Sequence, residues 1–353
     1  RLARCAALGH NPTRTNVRAA TRTMAKRESE AGGTAKGVKK AKKAPAKAPE
    51  NVVTDPIERQ PIHSGDRTFK VAYWNMGGIR SSLKKRPEIY ETLLKAADSP
   101  EVIFLAEHKL QPDDVPGVEK ELFALWPGYR AIWNCSARKG YSGVVALIKE
   151  DVLGPLKPAS IKNKTVEVST PESHLDTYEI KSVHRGLGIP PVQSEYNTEG
   201  RVLTLNLAKP DMYVVVSYVP NSGAGLKRID YRINEWEKDM RGYLTELAKE
   251  KPVAYVGDMN VAHLDLDIWN AGAKHLEKNA GTTTIERNAF GQMLSECDYV
   301  DGFRHFHPEA AGHFTFWSVR SRNKPSNRGL RLDYTLVSRS MVDGSAGAQL
   351  ADA

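Results

Sequence analysis

Four polar stretches carry the residue types on which chemistry could rest: Trp74-Asn75, Glu107, Tyr218-Val219-Pro220-Asn221 and Gly257-Asp258-Met259-Asn260. Taken singly, an Asp or Asn after a strand is most often a turn or a helix cap. Here each stretch closes an apolar β-rich run, and in a layered α/β protein such ends converge at one edge of the sheets, where sites usually lie. Hard oxygen donors without clustered Cys or His suit Mg²⁺ or Mn²⁺ and argue against zinc. There is no P-loop, no GxGxxG and no GxSxG elbow. A metal on carboxylates, amides near a phosphate and a carboxylate to orient water together describe metal-assisted phosphoester hydrolysis.

The elements that must position these residues are legible as short apolar runs. Phe69–Trp74, Val102–Ala106, Val144–Ile148, Tyr213–Val219, Val253–Val256 and Leu332–Val337 are nearly continuous, as expected of strands covered on both faces. Pro87 opens a helix through Ile89, Leu93 and Leu94. A stronger helical stripe follows Gly225, with Ile229, Ile233, Trp236, Met240, Tyr243, Leu244 and Leu247 at three- and four-residue steps; it reads as core. Segment 150–198 lacks a clear period and reads as a surface insertion.

The chain of 353 residues is 40% hydrophobic and 26% charged, enough for a real core. No run of eighteen apolar residues occurs, which excludes a membrane-spanning helix. Cys5, Cys135 and Cys297 are too dispersed for a disulfide framework and read as free thiols of a reducing compartment. Charge is uneven: residues 1–50 hold 13 Lys+Arg against three Asp+Glu, whereas residues 51–353 hold 38 against 39. The basic balance therefore describes the tail and not the globular part. Residues 1–66, nearly free of large apolar side chains, are expected to be a disordered basic tail that neutralises phosphates without reading bases. The run Lys39-Lys40-Ala41-Lys42-Lys43 makes the nucleus the expected compartment, while the Arg-only stretch before Met24 also fits an organelle transit segment.

The motifs WNMGGIR (74–80), AEHK (106–109), GYSGV (140–144), EGRV (199–202), SYVPNSG (217–223), GDMNVAH (257–263), NAGTTTIER (279–287) and FTFWS…RLDYTLVS (314–338) resemble, in order, the endonuclease/exonuclease/phosphatase superfamily. The combination of YVPN, NAG-T-x-x-ER and RLDY is similar to its exonuclease III-type abasic-site endonucleases. The resemblance runs from about Phe69 to Ser340. It implies an α/β (α+β) fold, a two-layer β-sandwich flanked by helices, over residues 67–342, with residues 343–353 outside the family and the last strand missing. It further implies a Mg²⁺-dependent enzyme, Mn²⁺ serving as well, that acts as a monomer on double-stranded DNA containing abasic sites, away from membranes. It would hydrolyse the phosphodiester 5′ to the lesion and leave a 3′-hydroxyl.

By the same resemblance Glu107 is the principal metal ligand with Asn75 beside it, and Asp258 and Asn260 belong to the metal and catalytic sets. Asp258 orients or deprotonates water, and Asn260 holds the phosphate. Tyr218 and Asn221 meet the scissile phosphate, and Asp333 orients a catalytic histidine. Arg80, Lys109, Tyr141, Asn221, Asn270 and Asn279 fall at DNA-contacting positions. Phe316, Leu330 and Leu332 would line a pocket that admits a base-free sugar and excludes a base.

Several positions depart from the family. Gly77 stands where an Asp or Asn is usual, Leu330 where Trp is frequent, and Ala224 where some relatives have Arg. The Ser-Asp-His segment expected after RLDY does not occur before the sequence ends in GSAGAQLADA. Two other readings therefore compete: a superfamily phosphodiesterase acting on RNA or another phosphoester, and a catalytically dead DNA-binding relative.

Overall fold

In the computed structural model the described residues are 2–7 (backbone only), 51–59, 68–153, 165–167, 179–187 and 198–353. The strands in chain order are β1 (Leu2–Ala7), β2 (Thr68–Asn75), β3 (Val102–Ala106), β4 (Tyr129–Asn134), β5 (Val144–Lys149), β6 (Thr165–Glu167), β7 (Glu179–Arg185), β8 (Val202–Lys209), β9 (Met212–Tyr218), β10 (Val253–Asp258), β11 (Tyr299–Asp301), β12 (Asp333–Ser338) and β13 (Gln349–Asp352). One sheet has the order β13-β1-β2-β3-β5-β4 and the other β11-β12-β10-β9-β8-β7-β6. All six runs read from the sequence are strands, displaced by at most two residues at either end.

The two sheets face each other across a core that includes Phe69, Val71, Phe104, Val144, Leu203, Val214, Val216 and Val256. The outer face of the first sheet packs on the helices Ile79–Lys85, Glu88–Ala96 and Val115–Leu125 through Leu83, Leu93, Leu122 and Trp126. The outer face of the second packs on the helix Lys238–Glu250 and the π-helical stretch Tyr231–Glu237 before it, and on Thr284–Glu296, through Trp236, Met240, Leu244 and Phe290. Four layers result, and the apolar stripe after Gly225 is core, as its periodicity implies. Each fully buried Leu, Val or Phe contributes roughly 1.5–3 kcal/mol, so both sheet faces hold the sandwich together.

The structure corrects three boundaries. Residues 343–353 are not an appendage, because Gln349–Asp352 form β13 and Ala348, Leu350 and Met341 join the inter-sheet core. A strand thus does follow Ser340, although it is Gln-Leu-Ala-Asp and not the expected Ser-Asp-His segment; four residues are too few to give a strand signal of their own. Segment 150–198 is not wholly a surface insertion. β7 pairs with β8 along its length and buries Ile180 and Val183. The tail is also not uniformly without structure, since Leu2–Ala7 pairs with β2 and β13, and residues 51–59 lie against the loop 311–327. The lysine run at 39–43 and the Arg-rich stretch before Met24, apart from the backbone of β1, lie outside the described residues.

Candidate active site

Strand pairing decides which side chains meet. β9 and β10 run parallel with Tyr218 opposite Asp258, and β12 runs antiparallel with Asp333 opposite Asp258. Three side chains from three strands therefore stand in one row. On the facing sheet Asn75, the last residue of β2, pairs with Ala106, and the next residue is Glu107. A cavity of about 880 Å³ lies between these ends, lined by Asn75, Glu107, Tyr218, Asn221, Asp258, Asn260, Phe316, Leu330, Leu332 and Asp333 among others.

The backbone at these ends is unusual. Glu107, Lys109 and Asn260 have φ of 54°, 61° and 49°, a left-handed conformation that costs a side-chain-bearing residue about 1–3 kcal/mol. Its persistence at Asn260 has a visible cause. Arg232, fully buried, donates to the carbonyls of Met259 and Asn260, each at 2.7 Å, while the Asn260 N–H donates to Asp258 Oδ1 at 2.8 Å. Glu286 accepts from Arg232 at 3.2 Å, Ser222 at 2.5 Å and the Gly281 N–H at 2.7 Å. One buried ion pair thereby joins the loops after β9 and β10 to the segment 279–283. Gly257 is required by a close approach of backbones, since a Cβ there would lie 2.0 Å from the Ser217 carbonyl oxygen.

Asn75 bridges the two sheets: its Nδ2 donates to Glu107 Oε1 at 2.9 Å and to Asp258 Oδ2 at 2.8 Å. Lys109 Nζ lies 2.9 Å from Glu107 Oε2. Burial works to raise the Glu107 carboxyl, but the bonds from Lys109 and Asn75 outweigh it and hold it below its ordinary value. At Asp258 burial, with Glu107 nearby, outweighs the bonds from Asn75 and Asn260 and the charge of Arg232, and raises it to about 6. Burial and the charge of Asp258 push Asp333 well up, and its Oδ1 is buried without a hydrogen-bond partner. The Tyr218 hydroxyl is raised by burial and then by Glu107 and Asp258, against an opposing effect of Arg201.

This donor chemistry fits a hard divalent cation. Among the described residues no three His, Cys, Asp or Glu side chains form an all-protein cage. Mg²⁺ does not need one, being held by one or two carboxylates, waters and substrate phosphate. Glu107 supplies such a carboxylate, and the unpartnered Asp333 oxygen and raised Asp258 mark an excess of negative charge that a cation would relieve. Asn75 presents its NH₂ to the carboxylates and its oxygen to the Gly77 N–H at 3.1 Å, so ligation through the oxygen requires the amide to turn. Asn260 is engaged at both ends of its amide, with Asn221 at 2.9 Å and the Val219 carbonyl at 2.8 Å. Gly77 lines the cavity with no side chain.

The remaining expected residues stand outside the cavity lining. Arg80 pairs with Asp114, and Asn270 meets His275 at 3.2 Å. Asn279 precedes the lining residue Ala280. The Tyr141 hydroxyl accepts from Arg201 at 2.6 Å and from Arg228. Besides His275, three of the described histidines make clear packing or backbone contacts. His108 is buried beside Trp133 and pushed down to about 4 by burial, His263 lies on Phe290, and His313 meets the Asp55 carbonyl. The structure also reveals site residues that sequence reasoning missed. Arg86, Trp317, Arg322 and Lys324 line the cavity, and Arg201 and Arg232 hold its walls from within. The aromatic residues at 314–317 followed by basic residues at 320–328 were a usable signal for Trp317, Arg322 and Lys324, and not for Arg86.

The residue pattern matches the Endonuclease/Exonuclease/phosphatase family over residues 72–352, and the chain belongs to that family. The match extends beyond Ser340 to include β13. The chain is similar to an exodeoxyribonuclease of Bacillus subtilis, 33% identical over 78% of this chain and 90% of the relative. It is also similar to the DNA repair nuclease APEX1 of Danio rerio, 32% identical over 90% of this chain and 88% of the relative. Among solved structures, the AP endonuclease LMAP from Leishmania major superposes with a TM-score of 0.64 at 28% identity, covering 82% of this chain and 85% of that one.

Proposed function

We propose that this protein is a Mg²⁺-dependent abasic-site endonuclease that acts as a monomer on double-stranded DNA, hydrolysing the phosphodiester 5′ to the lesion and leaving a 3′-hydroxyl. The observation that carries this reading is one cavity holding both a carboxylate–amide–phenol row (Glu107, Asn75, Tyr218, Asp258) and an apolar wall of Phe316, Leu330 and Leu332. A phosphate held on the row would put the neighbouring sugar against the wall, which would take a flipped base-free sugar in preference to one that carries a base.

Glu107, with Asn75, would hold the cation, which when bound stabilises charge on the phosphate oxygens. Asp258 Oδ2 would accept the proton of the attacking water, for which a carboxyl raised to about 6 is a stronger base than an ordinary one. Asn221, oriented by Asn260, would donate to a phosphate oxygen, and the Tyr218 hydroxyl, kept protonated by its surroundings, would donate to another. Arg86, Arg322 and Lys324 would neutralise flanking phosphates. The test is single-turnover cleavage of an abasic duplex, an intact duplex and RNA with Mg²⁺. Incision of the abasic strand alone supports the reading, and equal cleavage of all three refutes it.

A second reading, a binding protein of the same family with little chemistry, is favoured by Asp333 Oδ1, which no described histidine meets. It predicts selective binding of abasic duplex without incision in the same assay.

A further inference from the structure

Residues 51–59 precede β2, yet they are fastened, more than 250 positions away, to the loop 311–327, which also carries lining residues of the cavity. The Val52 N–H donates to the Ser326 carbonyl at 3.0 Å, and the Asp55 N–H to the Ala311 carbonyl at 3.1 Å. Asp55 Oδ2 in turn accepts from the Ala311 N–H at 2.8 Å, and the His313 ring nitrogen meets the Asp55 carbonyl at 2.7 Å. Asn327, in a left-handed conformation with φ 48°, donates to Thr54 Oγ1 at 2.9 Å and to the Gly312 carbonyl at 2.9 Å. Gly312 is shaped to this segment, because a Cβ on it would lie 2.2 Å from the Val53 carbonyl oxygen. A segment so exposed has little apolar burial to hold it in place. Its polar bonds carry the attachment.

The same loop builds the pocket. Asn327 Oδ1 accepts from Trp317 Nε1 at 3.0 Å, and Phe316 and Leu330 exchange backbone hydrogen bonds at 2.9 Å in each direction. Behind it, Ile57 and Arg59 line a second cavity of about 230 Å³ whose lining also includes Asp333. The segment therefore bonds the loop 311–327 at one end and shares a cavity with Asp333 at the other.

We infer that residues 51–59 form a strap that positions the Phe316–Leu330 wall and so sets how well the pocket discriminates a base-free sugar, with Asp55, Gly312 and Asn327 as positioning residues. The inference rests on the proposed function for its substrate and on geometry alone for the coupling. Free of the strap, Ser326 and Asn327 of the 314–330 loop lose their bonds to Val52 and Thr54. The wall loosens, and binding of the flipped sugar weakens while the carboxylate row stays intact.

The experiment uses the full chain with Asp55→Ala, Gly312→Ala and, as the conservative control, Asp55→Asn, which keeps an acceptor for the Ala311 N–H. Amide hydrogen exchange of the protein alone is read at 51–59 and 314–330. Both segments should lose protection in the first two variants and keep it in the control. With Mg²⁺ and abasic duplex, KM should rise roughly tenfold with kcat nearly unchanged, as expected when the binding wall is loosened and the carboxylate row is kept. Loss of protection at 51–59 with 314–330 unchanged would overturn the strap. So would unchanged protection of 51–59 in both variants, or a fall in kcat alone. If the parent cleaves no abasic duplex, the proposed function fails, and the exchange pattern still decides the coupling.

Discussion

The guanidinium carbon of Arg201 lies 4.9 Å from the centroid of the Tyr218 ring, and its Nη1 donates to the Tyr218 carbonyl at 2.8 Å. The same side chain donates to the Tyr141 hydroxyl and to Glu199. One buried cation thus fixes the ring and the backbone of the candidate phosphate donor and ties both to a candidate DNA contact. Lysine cannot make these bonds at once, having a point charge in place of a planar fork. Arg201→Lys should lower kcat by roughly tenfold to a hundredfold through misplacement of Tyr218, read in steady-state cleavage of abasic duplex. A kcat unchanged in a folded variant would show that Tyr218 needs no such support.

The metal and water roles are separable. Glu107→Gln should raise the Mg²⁺ concentration needed for half-maximal cleavage, and Asp258→Asn should lower the single-turnover rate by about 10²–10⁴-fold at saturating Mg²⁺. Both side chains lie at strand ends lining the cavity, so circular dichroism should show the parent fold. Parent-like rates in both variants would remove the basis of the site.

Asp258 also predicts how stability varies with pH. Its carboxyl is raised in the folded state, so the protonated form binds its proton more tightly there than in the unfolded chain. The stability it contributes is full below the ordinary carboxylate range and is lost as pH rises through about 6. In EDTA, the Tm of Asp258→Asn relative to the parent should be least favourable near about pH 4 and improve toward about pH 7. Excess Mg²⁺ should narrow that trend by relieving the parent's charge. A difference independent of pH would contradict the assignment.

Gly77 has φ 65° with nothing within 4 Å of where a Cβ would stand. Asn tolerates that conformation, so Gly77→Asn should change stability by no more than about 0.5 kcal/mol. An added amide at the cavity should lower the Mg²⁺ concentration for half-maximal cleavage by up to roughly tenfold. Titration of activity with Mg²⁺ checks this, and a higher requirement would count against a metal position there.

The Arg232–Glu286 pair is buried on both sides. Removing Glu286 leaves Arg232 with only the longer contact to Glu237, at 3.4 Å, as its buried counter-charge. Glu286→Ala should therefore destabilise the protein by about 3–5 kcal/mol, measured by urea unfolding. Glu286→Gln keeps an acceptor for Ser222 and Gly281 and should be milder. A loss below about 1 kcal/mol in Glu286→Ala would mean that the loops do not depend on this hub.

What the sequence made legible follows from how each element is buried. β2, β3, β5, β9, β10 and β12 are covered on both faces and show as apolar runs. β4 and β8 alternate, with Arg130, Thr204 and Asn206 interrupting the pattern, and β13 is a short stretch after Ala-Gly-Ala; these depend on partners distant in the chain. Strand-end carboxylates and amides were visible because nothing in a core calls for them. Arg201, Arg232 and Glu286 were not, since a charge in a sequence reads as surface until its buried partner is known. Arg86, Arg322 and Lys324 come to the cavity from segments whose course no local pattern fixes.

Tyr218, Asp258 and Asp333 share one row across three paired strands. Strand side chains alternate faces, so a slip of β10 by one residue would turn Asp258 away from both neighbours at once. The row has no half-assembled form: either the three strands are in register and all three groups face the cavity, or the row is broken. Correct strand pairing during folding therefore doubles as a proofreading step for the chemistry.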